Sequence, residues 1–323
     1  MASPTEVEKI GSAKPAMRKK PMLSRMKPLI TNRYLYLMLL PVILYFIIFE
    51  YKPMYGAIIA FKDFNPYQGI WDSPWAGFKH FQRFFESYYF WRLLKNTFLM
   101  SFYSLIVIFP ASITFALLLN EIRIKAFKSV VQTISYLPHF ISLIVICGMI
   151  IDFTKPDGII NGLLQAIGVI QEPIQFLILP EWFRTIYVGS GLWQSVGWNS
   201  IIYLAALSGI NPSLYEAAVV DGAGRWKQLI HITIPGIMPT VLILLILNVG
   251  TLLNVGWDKI ILLYNPATYD TADVISTFVY RRGIMEADYS FSAAVGLFNS
   301  VINFSLLVIA NRISRKTTES SLW

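Results

Sequence analysis

The residues best placed to do chemistry in this chain are not a nucleophile and its base. They form a charged, glycine-hinged segment between two apolar runs, EAAVVDGAGRWKQLIHITIP at 216–235. It opens on Glu216-Ala217-Ala218, turns at Asp221-Gly222, carries Arg225 and Lys227, and closes on Ile234-Pro235. Charges of both signs are costly in hydrocarbon, so this segment must stand at a membrane surface. The chemistry open to it is recognition: a carboxylate for polar contacts, two small alanines for close approach, and a glycine for a sharp turn.

A second set of groups lies inside the apolar runs: Gln194, Ser195, Trp198, Asn199, Asn248, Asn254, Asn299 and Asn303. Uncharged polar residues in a span face the bundle interior, where they either bond another helix or line a wet path. The stretch Trp193-Gln194-Ser195-Val196-Gly197-Trp198-Asn199 mixes amides with rings. A sugar offers hydroxyls to the former and C–H faces to the latter. For any one of these residues, helix–helix bonding is the competing reading.

Other chemistries are absent from the sequence. No Gly-Lys dipeptide occurs, so there is no GxxxxGK[ST] phosphate-binding loop. No hydrolytic nucleophile–base set or carboxylate pair stands out, and the chain is read as no enzyme by itself. His139 has no second His or Cys at ligand spacing, so no metal site is expected. Cys147 is the one cysteine and forms no intramolecular disulfide.

The elements that hold these groups follow from composition. The chain has 323 residues, 55% hydrophobic and 14% charged, with mean hydropathy +0.54; soluble domains carry roughly 25% charged residues. Uncharged stretches run over 34–49, 97–119, 129–151, 185–215, 228–257 and 289–311. A spanning helix needs about 20 residues, which five stretches supply; the first is short, but Arg33 can snorkel at its end. The expected fold is an all-α integral membrane protein with about six transmembrane helices. Its expected divisions are a basic arm at 1–30, a membrane domain at 31–311 with the charged loop at 213–235, and a tail at 312–323.

Orientation follows from Lys and Arg, because basic loops stay cytoplasmic. Lys9, Lys14, Arg18, Lys19, Lys20, Arg25, Lys27 and Arg33 precede the first span, Arg123, Lys125 and Lys128 follow the second, and Arg312, Arg315 and Lys316 follow the last. Both termini and the 216–235 loop are therefore placed in the cytoplasm. The net charge of +8 is mostly this leader, which can touch anionic lipid and implies no nucleic-acid partner. The leader has no small-residue cleavage site after a short apolar core and is not read as a signal peptide. The opposite loops carry the aromatics Trp71, Trp75, Phe78, Phe81, Phe84 and Phe85, as interfacial anchors or as a docking surface.

Local signals shape the loop. Ser213 with Glu216 has capping-box spacing, and Asn211 as cap with Pro212 at the first helical position fits equally. Gly222 and Gly224 end this helix through left-handed backbone. A second short helix, 225–233, is expected to stop at Pro235. In the third span, Pro138 within SYLPHFIS at 135–142 breaks the helix.

This loop resembles the EAA loop of permease subunits in binding-protein-dependent ABC importers of the maltose-transporter type, with Ile234 where that family usually has Leu. FKDFNPYQGI at 61–70, SYLPHFIS and DVISTFVYRRG at 273–283 extend the resemblance over about 30–311. They are similar to the branch that carries polysaccharides, alginate oligosaccharides among them. The resemblance implies a multi-pass permease of the bacterial cytoplasmic (inner) membrane, paired with a homologous second permease. Two ATPase subunits would bind the ATP and Mg, leaving no cofactor in this chain, and an external binding protein would deliver the oligosaccharide. It also implies roles at the ATPase surface: polar contacts for Glu216, packing for Ala217 and Ala218, the bend at Asp221-Gly222, and the closing Ile234-Pro235. An ATPase-independent secondary sugar transporter is the main rival; it predicts mid-membrane ionisable residues and inverted repeats, neither of which the sequence shows. A membrane scaffold without a transport path is the other.

Overall fold

In hydrocarbon every backbone N–H and C=O must be paired within the protein, which leaves helices or closed barrels. The computed structural model describes residues 33–318 and is helical almost throughout; among the described residues the only strand-like pairing is one isolated bridge, Lys62 with Trp75. The arm read at 1–30 and the last residues of the tail, 319–323, lie outside the described residues. Two compact units divide after Gly56. The first holds α1, Arg33–Tyr45, with Pro41 inside it and no buried residue. An apolar helix exposed on all sides is what lipid solvates.

The second unit is built on α2 (Phe90–Glu121), α3 (Lys125–Tyr136), α4 (Leu143–Thr154), α5 (Pro180–Ser208), α6 (Pro212–Val220), α7 (Arg225–Gln228), α8 (Ile234–Gly250), α9 (Trp257–Leu263) and α10 (Tyr289–Thr318). Four runs are long and apolar enough to cross a membrane: Arg33–Phe61, Phe90–Glu121, Arg225–Gly250 and Tyr289–Lys316. A fifth is the pair Lys125–Phe140 and Leu143–Ala166, bent by 99°. The bend falls at SYLPHFIS: Leu137–Phe140 form a 3-10 turn and Ile141 is extended, as expected where Pro138 removes a donor. The sequence reading counts six spans, with α5 as the fourth. That helix has 29 residues, about 43 Å at 1.5 Å each, but is not among the runs apolar enough along their length to count as a span by composition.

Two local expectations are corrected. Pro235 does not stop the helix: α7 passes through a π turn, Leu229–Thr233, straight into α8. The widened turn shifts the pairing by one residue, and Pro235 falls in the first turn of α8, where a missing N–H costs little. Of the two glycines, only Gly222 is left-handed, at φ +72; Gly224 has φ −68 and caps α7. Between the two start signals, Asn211 is the cap, its side-chain oxygen accepting from the Ser213 N–H at 3.0 Å with Pro212 beginning the helix.

α5 packs along α2, and α8 along α10. At one end, Ala116 of α2, Tyr203 and Leu207 of α5 and Ile237 of α8 form a buried cluster. At the other, Met100, Ile146, Phe183, Val255, Ile260 and Val274 do so, drawing on the connector between α8 and α10. α5 also meets α3 backbone to backbone: a Cβ on Gly197 would lie 2.2 Å from the Ser135 carbonyl oxygen.

The 251–288 connector is braced internally by a buried carboxylate and tied to α2 around it. Asp273 is fully buried and takes Arg281 through two hydrogen bonds, at 3.1 and 2.8 Å, with the Thr277 hydroxyl at 2.8 Å. Arg92 of α2 approaches it at 3.8 Å, and Asn96 donates to the carbonyls of Asp270 and Asp273 at 2.9 and 3.1 Å. Fork-shaped Arg–carboxylate pairing is directional as well as strong.

Two stability outcomes follow, read as thermal midpoints in detergent. Gly197→Val drives a side chain into the α3 backbone and lowers stability by about 1–3 kcal/mol, whereas Gly189→Ala, with open space around the new Cβ, does not. Asp273→Ala strands Arg281 beside a buried site and costs roughly 3–5 kcal/mol; an unchanged midpoint there removes the clamp.

Candidate functional site

α2, α5, α8 and the turn after α8 enclose a cavity of about 340 Å³. From α2 it is lined by Ser101, Ser104, Leu105, Ile108, Phe109 and Ser112, which share one helix face. α5 supplies Tyr187, Ser195, Asn199, Ile202 and Tyr203; Leu244 and Asn248 come from α8, and Thr251, Asn254 and Gly256 from the turn. Several donors are already spent on the helices themselves. The hydroxyls of Ser112 and Ser195 donate to the carbonyls of Ile108 and Gly191 at 2.8 and 2.6 Å, and the Asn248 amide donates to Leu244 at 2.8 Å. What remains on the Ser112 and Ser195 hydroxyls and the Asn248 amide oxygen is acceptor capacity. A polyol, rich in O–H donors, complements such a wall.

The amides read as a path divide between two jobs. Asn199, Asn248 and Asn254 line the cavity. Asn303 instead accepts from the Leu253 N–H at 2.9 Å and donates to the Asn254 side chain at 2.9 Å, and Asn299 donates to the same oxygen at 3.1 Å. These two fix the turn that closes the cavity and do not line it. Trp198 stands on the flank of the lining face, stacked on the His139 ring at 4.4 Å and 4° at the break between α3 and α4. Gln194 is half-buried on the same flank and also outside the lining. The sequence reading missed the α2 serines and the two tyrosines. The signal was present in the helical spacing 101, 104, 108, 112, which puts three hydroxyls on one face.

At the other end the charged loop is a stapled, exposed hairpin of short helices. Glu216, Ala217, Asp221, Gly222 and Pro235 are exposed, with Ala218 and Ile234 half-buried. The Ala223 N–H donates to Ala218 at 2.8 Å and closes the turn at Gly222. Across the hairpin, the Tyr215 and Thr233 hydroxyls share a 2.9 Å hydrogen bond, and Gln228 donates to the Ala223 carbonyl at 2.8 Å. Between the two arms lies a notch lined by Ala218, Ala223, Lys227, Gln228, His231 and Ile232. One arm follows α5 after a short turn, and the other is continuous with α8. A Cβ on Gly236 would meet Ile210 at 2.8 Å, so the two roots pack tightly together.

The chain that carries this cavity and exposed hairpin is similar to known proteins. The family model described as "Binding-protein-dependent transport system inner membrane component" matches residues 108–319. The polygalacturonan/rhamnogalacturonan transport system permease protein YteP of Bacillus subtilis (strain 168) is 43% identical over 91% of this chain and 92% of its own. Protein LplB of the same organism is 43% identical over 93% and 94%. Among solved structures, a chain of a bacterial ABC transporter involved in the import of the acidic polysaccharide alginate superposes with TM-score 0.84 and 46% identity, covering 91% of this chain and 99% of that one. The same transporter type, in complex with an alginate pentasaccharide-bound periplasmic protein, gives TM-score 0.84 at 45% identity over 92% and 99%. Half-buried amides, an exposed hairpin and these matches lead to one assignment: the chain belongs to the family of inner membrane components of binding-protein-dependent transport systems.

Proposed function

We propose that this chain is the permease subunit of an ATP-driven oligosaccharide importer and forms half of its translocation path. The observation that carries this reading is mechanical. α5 and α8, which supply Asn199 and Asn248 to the cavity, are the two helices from which the 211–233 hairpin projects. A body that grips the hairpin therefore moves two walls of the cavity. The carbohydrate cargo is supported by the acceptor-rich lining and by relatives named for polygalacturonan, rhamnogalacturonan and alginate.

In this reading a homologous permease completes the path, and two ATPase subunits bind ATP and Mg below it. An external binding protein delivers the sugar to the connector end. Both termini and the hairpin face the cytoplasm, following the Lys and Arg distribution. Glu216 and Asp221 make polar contacts to the ATPase. Ala217 and Ala218 let it approach closely, Gly222 holds the bend, and Ile234-Pro235 pass the movement into α8. Asn199, Asn248 and Asn254 contact the sugar. Gln194 and Trp198 set the flank of α5 beside it, and Asn299 with Asn303 holds the closing turn in place. Closure of the ATPases on ATP pulls the hairpins together and opens the cavity outward; hydrolysis returns it inward.

The test is co-purification and coupled uptake. The intact chain brings down an ATPase subunit and the chain lacking 213–235 does not. Glu216→Lys and Gly222→Val, the second forcing a β-branched residue to φ +72, lower ATP-driven uptake at least tenfold while folded permease persists. Wild-type uptake in both variants overturns the coupling role of the hairpin. Replacing Asn199 by Ala lowers uptake without releasing the ATPase, and unchanged uptake assigns that residue to packing.

A further inference from the structure

A second cavity, of about 470 Å³, lies across the 254–257 turn from the first. Small-molecule sites run to roughly 300–1,000 Å³. Its walls come from Trp257 at the start of α9, from the short helix Ile275–Tyr280, and from α10. On α10, Tyr289, Ser292, Gly296 and Asn299 recur at helical spacing and share one face. The Trp257 and Tyr280 rings stack at 5.2 Å and 26°, and both border the cavity. A Cβ on Gly296 would meet nothing within 4 Å, so the α10 wall is open at that point. The Trp257 N–H and the Tyr280 and Tyr289 hydroxyls bond no described group.

The turn itself is the partition between the two cavities. Asn254 and Gly256 line the first, and Trp257 lines the second. The Asn299 amide, on the second cavity, donates to the Asn254 side-chain oxygen, on the first, at 3.1 Å. The Ser276 hydroxyl, also on the second, donates at 3.4 Å to the carbonyl of Val255, which lines the first. The chemistry of the two walls differs. The first offers mostly acceptors, whereas the second offers aromatic rings with unspent N–H and O–H donors. A sugar presents C–H faces to such rings and oxygens to such donors. An acyl chain would cover the rings but strip water from three donors without replacing it, which costs free energy.

We propose that this second cavity is a carbohydrate subsite, in which one ring of the oligosaccharide rests against the Trp257–Tyr280 pair. The chain crosses the 254–257 turn, and residues further along it occupy the first cavity. This rests on the importer reading above and adds the length of cargo that the path engages. A chain long enough to reach both cavities gains contacts that a disaccharide held in the first does not.

The test uses the assembled transporter in proteoliposomes with its binding protein, offered galacturonate oligomers of two and four residues. Mannuronate oligomers of the same lengths form a second series. The variants are Trp257→Ala and Gly296→Leu, the latter filling the cavity from its open wall. Each is expected to raise the KM for the tetramer about tenfold, the effect of one or two neutral hydrogen bonds, and to leave that for the dimer within about twofold. The binding protein's own length preference is common to all variants and cancels from these ratios. Thermal midpoint and ATPase co-purification gauge folding, and if Trp257→Ala does not assemble, Gly296→Leu reads the same ratios. Variants that change both lengths equally, or neither, overturn the subsite and leave the importer reading standing. Occupancy is read on Gly296→Cys in a Cys147→Ser chain. A membrane-impermeant maleimide is expected to label it, and the tetramer but not the dimer to protect it. A cysteine that labels in the isolated subunit but not in the assembled transporter places the second permease in the cavity and overturns the proposal. Wild type that binds its ATPase but moves no oligomer of either series refutes both readings.

Discussion

A helix that carries Gln194, Ser195, Asn199 and Ser200 stays in a hydrocarbon-embedded bundle only if its polar groups find partners other than lipid. α5 meets that condition in two ways. Some groups turn back on the helix, as the Ser195 and Ser200 hydroxyls do toward Gly191 and Gly197 at 2.6 and 2.5 Å. The rest face the serines of α2 and Asn248 of α8 across the cavity. The cavity is therefore also what lets α5 occupy the centre of the bundle. Removing the polar face would stabilise the helix against lipid and close the cavity. The close contact at Gly197 presses the same helix onto α3 and fixes which face turns inward.

Much of this organisation is legible in the sequence because hydrocarbon is a severe filter. Long uncharged runs can be little but helices, and Pro138 breaks its helix where the sequence places the break. The hairpin is legible because Asn211-Pro212 and Gly222 have few uses other than starting and ending α6. Pro235 misleads because sequence gives no warning of a π turn, which supplies the extra residue the proline needs. Gly224 misleads because extended backbone at a cap suits glycine as well as left-handed backbone does. The amides were readable as interior but not by job: Asn254 and Asn303 differ only in which side of one turn they occupy.

Charge is where the reading of sequence by segments falls short. The spans are free of central charges, while Lys259 and Asp273 fall in what reads as an external loop. Loops are ordinarily solvated, so nothing in the sequence marks these two as buried. They are buried because the connector folds back between α2 and α5, with Ile260, Leu263, Val274 and Ile275 filling the core around them. Their partners then differ. Asp273 is answered by Arg281 and Thr277, which a fixed clamp requires. Lys259 has one carbonyl.

In the importer reading, an uncharged lining also bears on how a path can hold its cargo and still release it. Neutral hydrogen bonds contribute about 1 kcal/mol each net of water, so a lining of hydroxyl and amide oxygens holds a sugar weakly at every step and lets it move on. The hairpin lies at the end opposite the connector, joined to the cavity only through α5 and α8. In the importer reading, a pull on the hairpin reaches the cavity walls through these two helices, while weak contacts along the lining let the cargo move as the walls do.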